Sequence, residues 1–107
     1  MATKLNEQIE ILKNILSGKF KAKQIYIFGS HAYGKQDQDS DVDLCLITDL
    51  KNKRKIDVIR EIRRALLNRI SSPMDILVYN EEEFKERASL KNTLEYRILN
   101  RGMRVYG

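Results

Sequence analysis

Apolar residues recur along this chain in two rhythms, and the rhythms outline its elements. Leu5, Ile9, Leu12 and Ile15 or Leu16 fall at helical spacing and stop at Ser17-Gly18, which predicts a first helix over roughly residues 3–17, with Thr3 placed to cap it. Gln24 to Phe28 is a β-branched and aromatic run ending at Gly29-Ser30, the pattern of a buried strand. The polar stretch Ser30 to Ser40 has little to bury and predicts a loop or short helical turn. Asp41 to Thr48 predicts a second strand, with Val42, Leu44 and Leu46 on one face and Asp41, Asp43 and Cys45 on the other. Lys53 to Ile70 carries Val58 or Ile59, Ile62, Leu66 and Ile70 on one stripe and bases elsewhere, an amphipathic helix. Ser71-Ser72-Pro73 breaks it, because proline disfavours helical backbone in the residue before it.

Met74 to Tyr79 predicts a third strand, with Asp75, Leu77 and Tyr79 sharing a face. Asn80 is placed to cap a short helix starting at Glu81. Leu90, Leu94 and Ile98 mark a last helix closed by Gly102, and Met103 to Tyr106 predicts a short terminal strand. With 107 residues there is room for one core, so residues 1–107 are expected to form one domain. The order predicts an α/β or α+β fold: a mixed sheet backed by helices on one side.

Bulk properties narrow the classes. A charged fraction of 33% beside 42% apolar residues excludes wholesale disorder, and no apolar run approaches the ~20 residues that span a bilayer. Met1 to Gln8 lacks a basic cluster followed by an apolar stretch, so no secretory signal is expected and the expected location is cytoplasmic. Cys45 is the only cysteine, which excludes an internal disulfide. Inside an apolar run it is expected to be an inert buried thiol. The net charge of +5 is concentrated in Lys51–Lys55, Arg60–Arg69 and Arg97–Arg104, surfaces that attract polyanions or acidic partners or simply solvate helix faces.

The chemistry lies in the acids and one glycine. Asp41 and Asp43, two apart on a strand, project from one face about 7 Å apart along the backbone. Like charges this close repel unless a cation lies between them, and carboxylate oxygens suit hard ions such as Mg²⁺. Asp75 interrupts the next apolar run, with no turn to serve, and its burial without a partner would cost several kcal/mol by the general penalty for such groups. If the two strands are neighbours in register, the three acids converge. Upstream, Gly29 lets backbone approach a ligand, consecutive N–H groups at such a turn form an anion-binding concavity, and Ser30 adds a hydroxyl donor. A phosphate-sized site, ten intervening residues and then paired acids together suit a metal-bound triphosphate.

Phe28-Gly29-Ser30, ten residues, then Asp41-Val42-Asp43-Leu44 resembles the signature of the DNA polymerase β-like nucleotidyltransferase superfamily, and in particular its minimal nucleotidyltransferase branch. The third acid of that family matches Asp75 in Pro73-Met74-Asp75-Ile76, and the segment from Glu83-Phe84 through Gly102 to Tyr106 looks like the family's ending. One departure stands out. Family members often carry arginine shortly after the Gly-Ser, where this chain has His31, Ala32, Tyr33 and Gly34, the nearest base being Lys35. His31 and Tyr33 are expected to be plain loop residues or contacts to phosphate and base.

The resemblance implies transfer of a nucleoside monophosphate to a hydroxyl, with ATP as substrate and pyrophosphate leaving. It implies two Mg²⁺ ions, or Mn²⁺ in their place, some 3.5–4 Å apart on Asp41, Asp43 and Asp75. Gly29 and Ser30 would hold the triphosphate. Minimal members are often encoded beside a small helical HEPN-type protein, and some are antitoxins that adenylylate a tyrosine of that toxin. A hetero-oligomer with such a partner, with no membrane and no nucleic acid, is therefore the expectation. Nucleotidylation of a small molecule and a non-catalytic partner-binding antitoxin are the rival readings, separable by MgATP titration.

Overall fold

The two rhythms fold into a four-stranded mixed sheet packed between helices. The computed structural model describes residues 2–28, 42–70 and 74–107. In chain order the elements are α1 (Ala2–Lys19), β1 (Gln24–Phe28), β2 (Val42–Ile47), α2 (Lys55–Leu66), β3 (Met74–Tyr79), α3 (Glu81–Ala88), α4 (Leu94–Arg101) and β4 (Met103–Tyr106). The strands lie in the order β3-β2-β1-β4, with β1 antiparallel to both neighbours and β2 parallel to β3. A parallel pair needs a crossover, and α2 supplies it.

Strand alternation sends apolar residues to both faces, so helices cover both rather than the single side expected. On one face Ile25, Ile27, Val42, Leu44, Leu46, Ile76 and Val78 pack against Leu12 and Leu16 of α1 and Val58, Ile62 and Leu66 of α2. On the other, Tyr26, Phe28, Cys45, Ile47 and Tyr79 pack against Phe84 and Ala88 of α3 and Ile98 of α4. The physical reason is visible in β2, which is apolar at Cys45 and Ile47 as well as at its even positions, the near-continuous pattern of a strand buried on both sides.

Element ends shift by one or two residues from the periodicity in several places, and two differences are larger. The second helix stops at Leu66, where the N–H groups of both Arg69 and Ile70 turn back to the Leu66 carbonyl; Ile70 is buried from this turn and not from the helix. Leu90 belongs to the turn between α3 and α4 and is exposed, as is Leu94. Thr93, whose hydroxyl accepts from Tyr96 N–H, restarts the helix there.

Candidate functional site

At one end of the sheet the chain aligns three residues from three strands. Phe28, the last residue of β1, is the antiparallel partner of Asp43, and Asp43 is the parallel partner of Asp75. Neighbouring strands lie about 4.8 Å apart, so the two carboxylate-bearing positions are adjacent across the sheet. Alternation puts Asp43 on the face of Cys45 and Ile47, and Asp75 on that of Leu77 and Tyr79, the face covered by α3 and α4. Asp43 is half-buried and Asp75 exposed. Exposure removes the desolvation cost considered for Asp75; its pairing with Asp43 is what distinguishes it. Gly29 and Ser30 follow Phe28 directly in sequence and Asp41 precedes Val42, but all three, with His31 and Tyr33, lie outside the described residues.

Hydrogen bonds and ion pairs anchor β3 at both ends, beside the acid pair and at its far end. Arg63 of α2 donates from Nη1 to the Met74 carbonyl at 3.0 Å, pinning the residue before Asp75 to the crossover helix. Below the acids on the same face, the Tyr79 hydroxyl donates to Oε2 of Glu95, a carboxylate only 4% exposed. Arg87 Nε lies 3.2 Å from Glu95 Oε1, out of line for a hydrogen bond but close enough for an ion pair. Burial pushes the Glu95 carboxyl up, yet the Tyr79 hydroxyl, its own backbone N–H and the Arg87 guanidinium outweigh it and hold the group below its ordinary value. Burial, then the bond to Glu95, raise the Tyr79 phenol. Cys45 is pushed up to about 12 by burial and then by the Glu95 charge, so its thiol is inert as expected. Phe84 stacks on Tyr26 with centroids 5.8 Å apart and meets Tyr79 edge-on at 5.5 Å. Lys55 caps the other side of Tyr79, with Nζ 4.8 Å from the ring centroid and 2.6 Å from Glu83.

Sequence reading missed Glu95 and Arg63. A signal for the first existed: Glu95 stands three residues before Ile98, on the stripe that docks α4, where a carboxylate demands a partner. Arg63 carried none, because it is one of several bases on α2.

Two carboxylates side by side at a strand end, next to a strand that runs into Gly-Ser, can hold hard cations and so neutralise phosphate oxygens. The chemistry of the donor set fits Mg²⁺: carboxylate oxygens from adjacent strands, with Asp75 exposed to solvent. Among the described residues no group of three His, Cys, Asp or Glu side chains clusters, the third acid of the motif being Asp41. The fold is that of a nucleotidyltransferase. The chain belongs to the polymerase beta nucleotidyltransferase family, whose match spans residues 10–106.

Relatives agree. A "putative protein adenylyltransferase" of Methanocaldococcus jannaschii is 45% identical over 51 residues, covering 45% of this chain and 51% of that protein. The match thus spans about half the length of the curated relative. Among solved structures, a "putative nucleotidyltransferase" of Sulfolobus solfataricus superposes with a TM-score of 0.54 and 26% identity over 77% of this chain and 78% of that one. The crystal structure of a toxin–antitoxin with AMP-PNP shares the fold at a TM-score of 0.51 and 20% identity, over 94% of this chain and 73% of that one.

Proposed function

We propose that this chain transfers AMP from ATP to a hydroxyl, most simply a tyrosine, of a small helical HEPN-type protein, and acts as the antitoxin of that pair. The observation that carries the transfer chemistry is the register pairing of Asp43 with Asp75 beside the end of β1. Asp41, Asp43 and Asp75 would hold Mg²⁺, which when bound supplies charge neutralisation for the triphosphate and acidifies the attacking hydroxyl. The acceptor oxygen forms a bond to the α-phosphorus, the bond from that phosphorus to the pyrophosphate oxygen breaks, and the hydroxyl proton passes to a carboxylate, Asp75 being more exposed than Asp43. Gly29 and Ser30 would receive the phosphates. The protein's task is then positioning, which supplies most of the catalysis in phosphoryl transfer.

The acceptor reading is supported by the relative named as a protein adenylyltransferase and by the toxin–antitoxin of like fold solved with an ATP analogue. Among the described residues no helix is long and apolar enough to cross a membrane. The test is incubation with α-labelled ATP, Mg²⁺ and the helical protein encoded beside this one, read by mass spectrometry. One added AMP on a partner tyrosine is expected, with little ATP turnover when the partner is omitted. An unmodified, correctly folded partner together with strong labelling of a small molecule or of nucleic acid would overturn the acceptor assignment.

A further inference from the structure

A cavity lies at the end of the sheet opposite the acid pair. It measures about 470 Å³ and opens where β2 leaves the sheet and the chain turns into α2. From Asp43 to Thr48 is five residues of strand, so the cavity lies roughly 16 Å from the acid pair. Phe20, Leu50 and Val58 form an apolar floor, and among the described residues five cations, Lys19, Lys21, Lys51, Lys53 and Arg64, line it against two carboxylates, Asp49 and Glu61. Both carboxylates are already engaged: Asp49 Oδ1 accepts the Lys51 N–H at 3.1 Å, and Glu61 lies 3.9 Å from Lys53 Nζ. Lys21, Lys51 and Arg64 have no carboxylate within ion-pair distance among the described residues.

The backbone adds a second, independent observation. Among the described residues, the non-glycine positions with positive φ are Lys21 at +52°, Lys51 at +49° and Asn52 at +70°, so two of the three are lysines lining this one cavity. Lys21 closes the C-terminus of α1, with Ala22 N–H returning to the Leu16 carbonyl, and Lys51-Asn52 form a turn closed by Lys53 N–H to the Leu50 carbonyl. Glycine or asparagine is the usual occupant of such positions. Here the left-handed conformation is imposed on long cationic side chains, and strained backbone of this kind concentrates at ligand sites. Thr48, 4% exposed, ties the two turns together by donating to the Phe20 and Lys21 carbonyls at 3.1 and 3.3 Å. The site also lies beyond the carboxyl ends of the parallel pair β2 and β3, the end of an open sheet where ligands collect.

We propose that this cavity is a binding site for a small polyphosphate-bearing ligand of the nucleotide class, separate from the transfer site. Phosphates would sit on Lys21, Lys51 and Arg64, and the base or other flat apolar portion on Phe20 and Leu50. Among the described residues its carboxylates are Asp49 and Glu61, both engaged with the chain's own Lys51 and Lys53, so binding here needs no divalent metal. That distinguishes the two sites experimentally.

The experiment titrates the full chain in EDTA with ATP and, separately, with inorganic tripolyphosphate, following backbone amide NMR shifts and calorimetric heat. Shifts are expected at Lys21, Thr48 and Lys51 and not at Asp43 or Asp75, with ATP binding more tightly than tripolyphosphate if the apolar floor takes part. The variant is Lys21→Gly with Lys51→Gly, which removes both charges and relieves both left-handed positions, so folding is preserved; a Tm no lower than that of the parent checks this. The double variant is expected to lose at least tenfold in EDTA-resistant affinity while Mg²⁺-dependent transfer stays as in the parent. Equal affinity of tripolyphosphate and ATP would retain the phosphate site and remove the base from the floor. Absence of binding in EDTA, shifts confined to the Asp43–Asp75 end, or affinity unchanged in the double variant would each overturn the site, whatever the outcome for the transfer reaction.

Discussion

Replacing Tyr79 with phenylalanine removes one hydroxyl from the buried contact between β3 and α4 and leaves the ring in place. The ring keeps its edge-on contact with Phe84 and its place under Lys55, so packing changes little and the lost bond dominates. A hydrogen bond to a charged group is worth about 1.5–3 kcal/mol net, and without the hydroxyl Glu95 keeps its own backbone N–H and the Arg87 ion pair. At roughly 4 °C per kcal/mol for a chain of this size, Tm should fall by roughly 6–12 °C at pH 7. The pH dependence has a definite sign. The folded Glu95 carboxyl is held below its ordinary 4.5, so its contribution is present above about 4.5 and is lost as pH falls through the lower folded value. The phenol is raised above its ordinary 10.0, so its contribution is present below that value and lost as pH climbs beyond it. Urea melts of parent and Tyr79→Phe at pH 7 and near pH 3 should therefore show a deficit that shrinks in acid. A deficit under about 0.5 kcal/mol at pH 7, or one equal at both pH values, would refute the assignment of an ionised Glu95 anchored by Tyr79.

Asp43→Asn and Asp75→Asn should each reduce AMP transfer by several orders of magnitude while leaving a cooperatively folded domain in denaturant melts; near-parental transfer in excess Mg²⁺ would remove that acid from the site. Gly29→Val, aimed at the proposed phosphate cradle, should weaken MgATP binding in calorimetry, and an unchanged affinity would locate the phosphates elsewhere. Gly102→Ala would set its Cβ 2.5 Å from the Ile98 carbonyl oxygen, a backbone atom, so α4 or the start of β4 must shift and stability should drop by about 1–3 kcal/mol in denaturant melts.

Element type and order could be read from the sequence because each depends on short-range periodicity. The strands at Gln24–Phe28 and Met74–Tyr79 agree residue for residue with their patterns, and Asp41, Asp43, Asp75 and Gly29-Ser30 stood out as candidates through residue type, spacing and the family resemblance together. Tertiary structure decided what depends on chain returning from a distance. It placed Asp75 opposite Asp43 and not one residue out of register, a choice set by how the crossover through α2 seats Ile76 and Val78 in the core. It also put helices on both faces, buried Glu95 against Tyr79, and gathered lysines from the end of α1 and the turn before α2 around one cavity. Tyr79 and Glu95 alone are 16 residues apart, and at such separations local spacing carries no information about which side chains will meet.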